Sequence, residues 1–277
     1  MRLIRQVVLY TPTCLGGGKE ELFLYKILYI DPVGEVYSTP EIDGFLKQIV
    51  SKDVKIDFTS LERGPANLEY MYYEILVTAD IIHKVKWAEK HGYDAVIIGC
   101  FYDPGLYQSR EITDIVIVGP GEASMCLAAV LGYKFSILAG RNKWVPIIME
   151  NIQKYGYQEK LASVKLLELG VEDFHKDDEY TETMMKAKGK EAIEQDGAEV
   201  IILGCTMQFG FYGKLQQYLS VPVIDPIAAS VKHAEFLLSV KQYFNWGHSK
   251  IGLYQSPPME EIKRFNVNRM YNLKDLW

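Results

Sequence analysis

Short apolar runs alternate with longer amphipathic stretches along most of the chain. The runs are rich in β-branched residues and end at turn residues, which is typical of buried parallel strands. They predict strands over residues 3–10, 54–59, 95–100, 114–118, 134–139, 163–169 and 221–224, and a further strand within residues 196–205. The intervening stretches predict helices over residues 67–90, 122–131, 144–154, 181–196 and 226–243. Strands alternating with helices indicate an α/β fold with mostly parallel sheets, in which ligands bind beyond the carboxyl ends of the strands.

Three details of this pattern are specific expectations. Residues 30–40 contain two prolines and Gly34, which predicts an irregular connection. Asn67 is the predicted N-cap of the first helix. The core-facing stripe of that helix is predicted to comprise Met71, Ile75, Ala79, Ile82 and Val85. The aromatic-rich tail from residue 247 is expected to pack on the body of the protein or on another subunit.

One phrase of the sequence occurs twice. Residues 91–100 reappear as residues 196–205, and each copy is an apolar run that ends in a Gly-Cys pair. The similarity continues downstream, where residues 116–124 correspond to residues 223–230. A duplicated strand that ends in a thiol predicts two facing halves, with Cys100 and Cys205 on opposite sides of one cleft.

Such a pair of thiols has a definite chemical use. One thiolate removes a proton from carbon while the opposite thiol supplies one, which inverts the carbon centre. The pKa of a thiol, about 8.5, is readily lowered by helix N-termini and hydrogen bonds. No cofactor is needed if a carbonyl takes up the carbanion's charge and fixed donors stabilise it. We therefore predict Cys100 and Cys205 as the catalytic residues and expect no cofactor.

Other interpretations of the cysteines are less well supported. Cysteine is a common small core residue, but both thiols follow a glycine at the end of a strand, where side chains enter the cleft. A zinc site is disfavoured because the chain has no Cys-x-x-Cys motif and its five histidines have no metal-ligand spacing. A disulfide would require an oxidising compartment. Cys14 stays ambiguous.

Donors for a substrate oxygen are predicted at two places. The turn Gly119-Pro120-Gly121-Glu122 opens a helix, whose free N–H groups favour an anionic or carbonyl oxygen. The glycine-rich loop at residues 11–18 could serve in the same way, although it lacks the spacing of a phosphate-binding loop.

Composition and charge narrow the class of protein. The 277 residues are 48% hydrophobic and carry a formal net charge of −6, which argues against nucleic-acid or anionic-membrane binding. No apolar run is long enough to cross a bilayer, and the N-terminus does not have the pattern of a signal peptide. Four cysteines without framework spacing favour a reducing compartment. We expect a soluble, cytoplasmic protein.

Several motifs together resemble the hydantoin and allantoin racemases of the aspartate/glutamate/hydantoin racemase superfamily. The resemblance covers about residues 1–256. It is carried by residues 64–69 (Gly-Pro-Ala-Asn-Leu-Glu), 100–106 (Cys-Phe-Tyr-Asp-Pro-Gly-Leu), 119–123 (Gly-Pro-Gly-Glu-Ala), 203–205 (Leu-Gly-Cys) and 222–229 (Pro-Val-Ile-Asp-Pro-Ile-Ala-Ala).

The resemblance implies two pseudo-symmetric, doubly wound domains with the active site in the cleft between them. Residues 1–114 with 226–277 would form the first domain, and residues 115–225 the second. It also implies a cofactor-independent racemase with two cysteine bases and a homo-oligomer.

Three departures from the family's pattern concern the substrate. The family's first loop is usually Asn-Pro-Asn-Thr, whereas this chain has Thr11-Pro12-Thr13-Cys14. Tyr102 stands where a small residue is usual. Thr206 follows the second cysteine, and the resulting Gly-Cys-Thr is closer to the motif of amino-acid racemases. The predicted substrate-binding residues are Thr11, Thr13, Phe101, Tyr102, Gly119, Gly121, Glu122 and Thr206.

The leading hypothesis is a racemase of a 5-substituted hydantoin or related ureide. A second hypothesis is a racemase of a free amino acid such as aspartate or glutamate. A third is a two-lobed module that binds a small ligand without catalysis. The sequence leaves the substrate, the stereochemical preference and the oligomeric state open.

Overall fold

A computed structural model describes residues 24–273 and 276–277, and within them two four-stranded parallel sheets. The strands are β1 (Tyr25–Gly34), β2 (Val54–Leu61), β3 (Ala95–Ile98), β4 (Val116–Val118), β5 (Phe135–Ala139), β6 (Leu161–Leu166), β7 (Val200–Leu203) and β8 (Val223–Ile224). The helices are α1 (Pro40–Ile49), α2 (Met71–Lys90), α3 (Leu106–Ile112), α4 (Pro120–Leu131), α5 (Val145–Tyr155), α6 (Asp178–Asp196), α7 (Tyr212–Leu219), α8 (Pro226–Phe244), α9 (Met259–Arg264) and α10 (Val267–Met270). The predicted α/β class with helix-flanked parallel sheets is confirmed.

The two sheets repeat one strand order. The first is β2-β1-β3-β4 and the second is β6-β5-β7-β8, so β1 corresponds to β5 and β3 to β7. The register repeats as well, because Tyr29 pairs with Ile97 and Ile137 pairs with Ile202. Ile97 and Ile202 each lie three residues before the cysteine of their copy. The duplicated phrase therefore corresponds to a duplicated place in the fold.

Two helices join the halves. Helix α4 follows β4 of the first sheet and also contacts β7 of the second, whereas α8 follows β8 of the second sheet and packs on β3 and β4 of the first. The two helices lie against each other. The chain passes from the first sheet to the second between β4 and β5, and it returns to the first half after β8. The domain boundaries at residues 114 and 225 stay predictions.

The expected irregular connection at residues 30–40 is wrong for its first part. Residues 27–30 are fully buried at the centre of the first sheet, and β1 extends from there to Gly34. Pro32 is tolerated because the ladder with β2 shifts register between Asp31 and Gly34, where the missing N–H is not needed. A 3₁₀ turn and α1 follow. The strand and loop predicted at residues 3–18 lie outside the described residues.

Helix α2 starts later than predicted. Its first residue is Met71, and Asn67 instead donates from its side chain to Glu172 and accepts from the backbone of Glu69. The predicted stripe is wrong except for Val85; the buried residues of α2 are Val77, Ile81, Val85 and Ala88. The apolar residues of α2 lie on all of its faces, so periodicity alone does not identify the face that packs on the sheet.

The tail packs on the body of the protein, as expected. Lys250 donates from Nζ to the carbonyls of Arg110 and Thr113, at 2.6 and 2.7 Å, and so covers the C-terminal end of α3. His248 Nε2 accepts from the backbone N–H of Ile117 at 3.1 Å. Within the described residues, no helix is both long and apolar enough to span a membrane.

Candidate active site

A cavity of about 350 Å³ opens at the carboxyl ends of β1, β3 and β7, between the two sheets. Its walls are mostly apolar and come from both halves of the chain. The apolar and aromatic lining comprises Val33, Tyr37, Leu68, Phe101, Tyr102, Trp144, Val171 and Met207. This is the place where ligands bind in parallel α/β sheets.

Both predicted catalytic cysteines line this cavity. Cys100 lies two residues beyond the end of β3, and Cys205 two residues beyond the end of β7. Each thiol accepts a hydrogen bond from the backbone N–H two residues further on, that of Tyr102 for Cys100 and that of Met207 for Cys205. The repeated chain geometry thus gives both thiols the same kind of donor.

The sequence analysis expects a lowered pKa for both thiols, but burial raises the pKa of each. It raises the pKa of Cys205 to about 12 and that of Cys100 well above its ordinary value, and the backbone donors offset this only in part. Desolvation disfavours the charged thiolate. Both groups are therefore mainly thiols at neutral pH, and the thiolate fraction grows as the pH rises.

Three of the predicted binding residues lie in the same cavity. Phe101, Tyr102 and Thr206 line it. Thr206 Oγ1 donates to the carbonyl of Gly99 at 3.2 Å and so links the loops that follow β3 and β7. This bond holds the two cysteine-bearing loops together.

The turn that opens α4 is placed elsewhere. The cavity lining does not include Gly119, Gly121 or Glu122. The backbone N–H groups of Gly121 and Glu122 donate to the carboxylate of Asp103 at 2.9 and 2.8 Å, and the Glu122 carboxylate pairs with Arg110. These donors are satisfied within the protein and do not face a ligand. Thr11, Thr13 and Cys14 lie outside the described residues.

Glu69 is a site residue that the sequence reasoning missed. It lines the cavity with 6% of its surface exposed and accepts from Arg141 Nη1 at 2.9 Å and from the backbone N–H of Val171 at 2.6 Å. Both partners belong to the second half of the chain. The motif Gly-Pro-Ala-Asn-Leu-Glu is typical of a turn before a helix, and this local pattern does not indicate that Glu69 contacts the second half of the chain.

Asp31 is the second missed residue. It lies at the end of β1 with 6% of its surface exposed, and among the described residues its carboxylate accepts from the backbone N–H of Thr39 at 3.5 Å. Burial raises its pKa from 3.8 to about 7. The sequence does not indicate Asp31 as a site residue, because the prolines and Gly34 around it predict an irregular connection instead of a strand.

Replacing Asp31 by asparagine is expected to change the free energy of unfolding, relative to the wild type, more favourably at pH 8 than at pH 4. Because the folded pKa is raised, the folded state binds the extra proton between about pH 4 and 7, and the wild type loses that stabilisation as the pH rises. The neutral amide does not titrate. The free energy of unfolding of the variant minus that of the wild type should therefore be a few kcal/mol more positive at pH 8 than at pH 4. Urea denaturation at both pH values measures this. An equal difference between the variant and the wild type at the two pH values would contradict it.

The charged side chains among the described residues that line the cavity are all acidic. Its described lining carries three carboxylates, on Asp31, Glu69 and Glu172, and no lysine, arginine or histidine. In the described part of the chain, no three histidine, cysteine, aspartate or glutamate residues are arranged to hold a metal ion.

Comparison with known proteins places the chain in a family. The model of the Asp/Glu/Hydantoin racemase family matches residues 27–234. The chain belongs to this family. The hydantoin racemase of Pseudomonas sp. strain NS671 is 34% identical over 236 residues, which are 85% of this chain and 93% of the relative. That of Paenarthrobacter aurescens is 36% identical over 233 residues, 84% and 97% of the two chains.

A solved structure shares the fold of this racemase. The allantoin racemase from Klebsiella pneumoniae superposes with a TM-score of 0.78 and 24% identity, over 84% of this chain and 94% of that one. With relatives of this kind, the chain is an enzyme of the isomerase class.

The family match does not test the predicted first loop. It begins at Ile27, inside β1, and Thr11 and Thr13 precede it and stay predictions. Within β1, near its carboxyl end, Asp31, Pro32 and Val33 line the cavity.

Proposed function

We propose that this racemase inverts the carbon next to a carbonyl of a 5-substituted hydantoin or related ureide, with Cys100 and Cys205 as acid and base. The observation that carries the proposal is the position of the thiols, at equivalent strand ends on one cavity between two similar halves. The curated hydantoin racemases support the same substrate class.

The lining favours a neutral ring over a free amino acid. An α-carboxylate would meet Asp31 and Glu172, and the only cation described beside the lining carboxylates, Arg141, is already paired with Glu69. Aspartate or glutamate would add a second negative charge. A hydantoin ring instead brings N–H groups that can donate hydrogen bonds to a carboxylate. Aromatic walls at Phe101, Tyr102 and Trp144 suit an apolar substituent.

The proton transfers of one turnover balance. The thiolate of one cysteine takes the proton from the ring carbon, and the electron pair is delocalised onto the adjacent carbonyl. The other thiol then gives its proton to the opposite face of that carbon. The cysteines end with their protonation states exchanged, so either enantiomer can be the substrate.

Racemisation of separate enantiomers in D₂O tests the proposal. We expect a hydantoin with an apolar 5-substituent to lose optical rotation and to gain deuterium at the ring carbon, whereas L-aspartate and L-glutamate remain unchanged. Turnover of the acidic amino acids alone would select the second hypothesis. Binding of hydantoins without deuterium gain would select the non-catalytic module.

Three further parts of the proposal concern the protein's context. We infer that the enzyme works without a cofactor, since the thiol pair and a substrate carbonyl supply the chemistry. We also propose a cytoplasmic homo-oligomer. The exposed apolar residues Met71, Tyr72, Ile75 and Leu76 on α2 form a surface on which subunits could meet. Analytical ultracentrifugation measures the oligomeric state.

A further inference from the structure

The residue three positions after each cysteine of the site is polar and buried. Asp103 follows Cys100 with 2% of its surface exposed, and Gln208 follows Cys205 with 0% exposed. In both loops the backbone N–H of this residue donates to the carbonyl of the cysteine at 3.0 Å. The two turns are therefore alike in their backbone and differ in the side chain that anchors them.

Gln208 anchors the turn after Cys205 to strand β5. Its Nε2 atom donates to the carbonyl of Leu138, the last residue but one of β5, at 3.2 Å. The same carbonyl accepts from the backbone N–H of Gly204 at 3.0 Å. A Cβ atom on Gly204 would lie 2.8 Å from this carbonyl oxygen, so only glycine lets the loop approach the strand so closely. Cys205 thus lies between two residues that bind one atom of the neighbouring strand.

The first half of the protein anchors its cysteine loop differently. Asp103 accepts from the amides of Gly121 and Glu122, which open α4. The N-cap of α4 is Gly119, which has no side chain to cap the helix, and a Cβ atom there would lie 2.4 Å from the Asp103 carboxyl group. In the second half the N-cap of α8 is Asp225, whose own carboxylate caps that helix. The loop after the second cysteine therefore need not supply a carboxylate, and its buried amide binds β5 instead.

Stability alone does not explain the amide of Gln208. Its Oε1 atom is buried and has no hydrogen-bond partner among the described residues. A buried acceptor without a partner costs more free energy than one hydrogen bond between neutral groups contributes. A methionine of similar length would fill the same space without this cost, so the amide at this position points to a use in the site.

We propose that Gln208 is a positioning residue: its side-chain amide fixes the turn that carries Cys205 and so holds this thiol against the ring carbon of the substrate. The inference rests on the proposed two-cysteine function. Thr206, in the same turn, donates to the carbonyl of Gly99, so the turn is bound both to the loop of Cys100 and to β5. Loss of the amide removes the bond to β5, whereas the loop of Cys100 keeps its own anchor on α4.

An elimination reaction reads each cysteine separately. Because the two enantiomers of a hydantoin have equal free energy, kcat/KM for racemisation falls equally in both directions and does not identify the affected thiol. With 5-(fluoromethyl)hydantoin, removal of the ring-carbon proton by one thiolate forms a C=C bond and expels fluoride with its electron pair. The second cysteine is not used, so the rate of fluoride release from each enantiomer reports on one thiol.

The variant Gln208→Met keeps the length of the side chain and removes the amide. We expect fluoride release from one enantiomer to slow about 10- to 100-fold, as for a displacement of about 1 Å at a reacting group, and release from the other to change less than about twofold. The slowed enantiomer should be the one that Cys205→Ser no longer converts. Thermal melting should show that the variant folds. Gln208→Asn, whose amide is one methylene shorter, should give the same pattern.

Gln216→Met is the matched control. The side chain of Gln216, in α7, accepts from the backbone N–H of Val223 in β8 at 3.0 Å, and Gln216 does not line the cavity. This variant therefore also loses one hydrogen bond between a glutamine and a strand of the second sheet. Both rates of fluoride release should stay as in the wild type.

Hydrogen exchange followed by mass spectrometry needs no substrate. In Gln208→Met the amides of residues 204–210 should exchange faster than in the wild type, while those of residues 99–105 stay unchanged. Equal slowing of both enantiomers, slowing of neither, or unchanged exchange at residues 204–210 would overturn the role of Gln208. If the wild type fails to act on hydantoins while residues 204–210 alone exchange faster in the variant, the substrate assignment fails and the anchor stands.

Discussion

Replacing either Cys100 or Cys205 by serine is expected to lower the rate of hydantoin racemisation about 10²–10⁴-fold. A positioned acid or base contributes a factor of this size, and a hydroxyl is a much weaker acid than even a thiol whose pKa burial has raised. In the proposed mechanism both residues are needed, because each turnover uses one as base and the other as acid. Chiral chromatography of the product from each enantiomer measures the loss.

The control for this pair is Cys126→Ser. Cys126 is a half-buried free cysteine on α4 and does not line the cavity, so its variant should retain wild-type activity. The double variant Cys100→Ser, Cys205→Ser should be little worse than the single variants, because the two thiols act as a unit. Full racemisation by either single variant would exclude the two-base mechanism.

The position of Cys100 and Cys205 at one cavity could be predicted because its signal is local and occurs twice. An apolar run that ends in Gly-Cys specifies a buried strand and the position of a thiol at its end, and both are properties of a few consecutive residues. The repeated strand order and the pairing of Tyr29 with Ile97 and of Ile137 with Ile202 confirm the two-half arrangement.

What could not be predicted depends on partners that are distant in sequence. Residues 27–30 form a central strand, but the neighbouring Pro32 favoured a loop until the register shift with β2 explained it. The amides of Gly121 and Glu122 were expected to be free, yet a carboxylate eighteen residues earlier accepts from the first of them. Periodicity contains no information about such partners.

Replacing Asp103 by alanine is expected to lower the free energy of unfolding by about 3 kcal/mol or more, since an unpaired buried donor costs about 1–3 kcal/mol. Asp103 is 2% exposed and accepts from Gly121 N, Glu122 N and the Tyr155 hydroxyl, at 2.9, 2.8 and 2.8 Å. Its φ of 54° also disfavours alanine.

The same substitution should reduce activity, because the backbone N–H of Asp103 donates to the carbonyl of Cys100 and the side chain anchors this loop to α4 and α5. A displacement of about 1 Å at the thiol is enough for a loss of about 10²-fold. Asp103→Asn keeps the shape and tolerates the positive φ, so it should retain more stability and more activity than alanine. Urea denaturation and racemisation assays on both variants, with the exposed Asp53→Ala as control, measure the two effects. Asp103 would have no anchoring role if its alanine variant matched that control in both assays, because the three donors would then have found other partners at no cost.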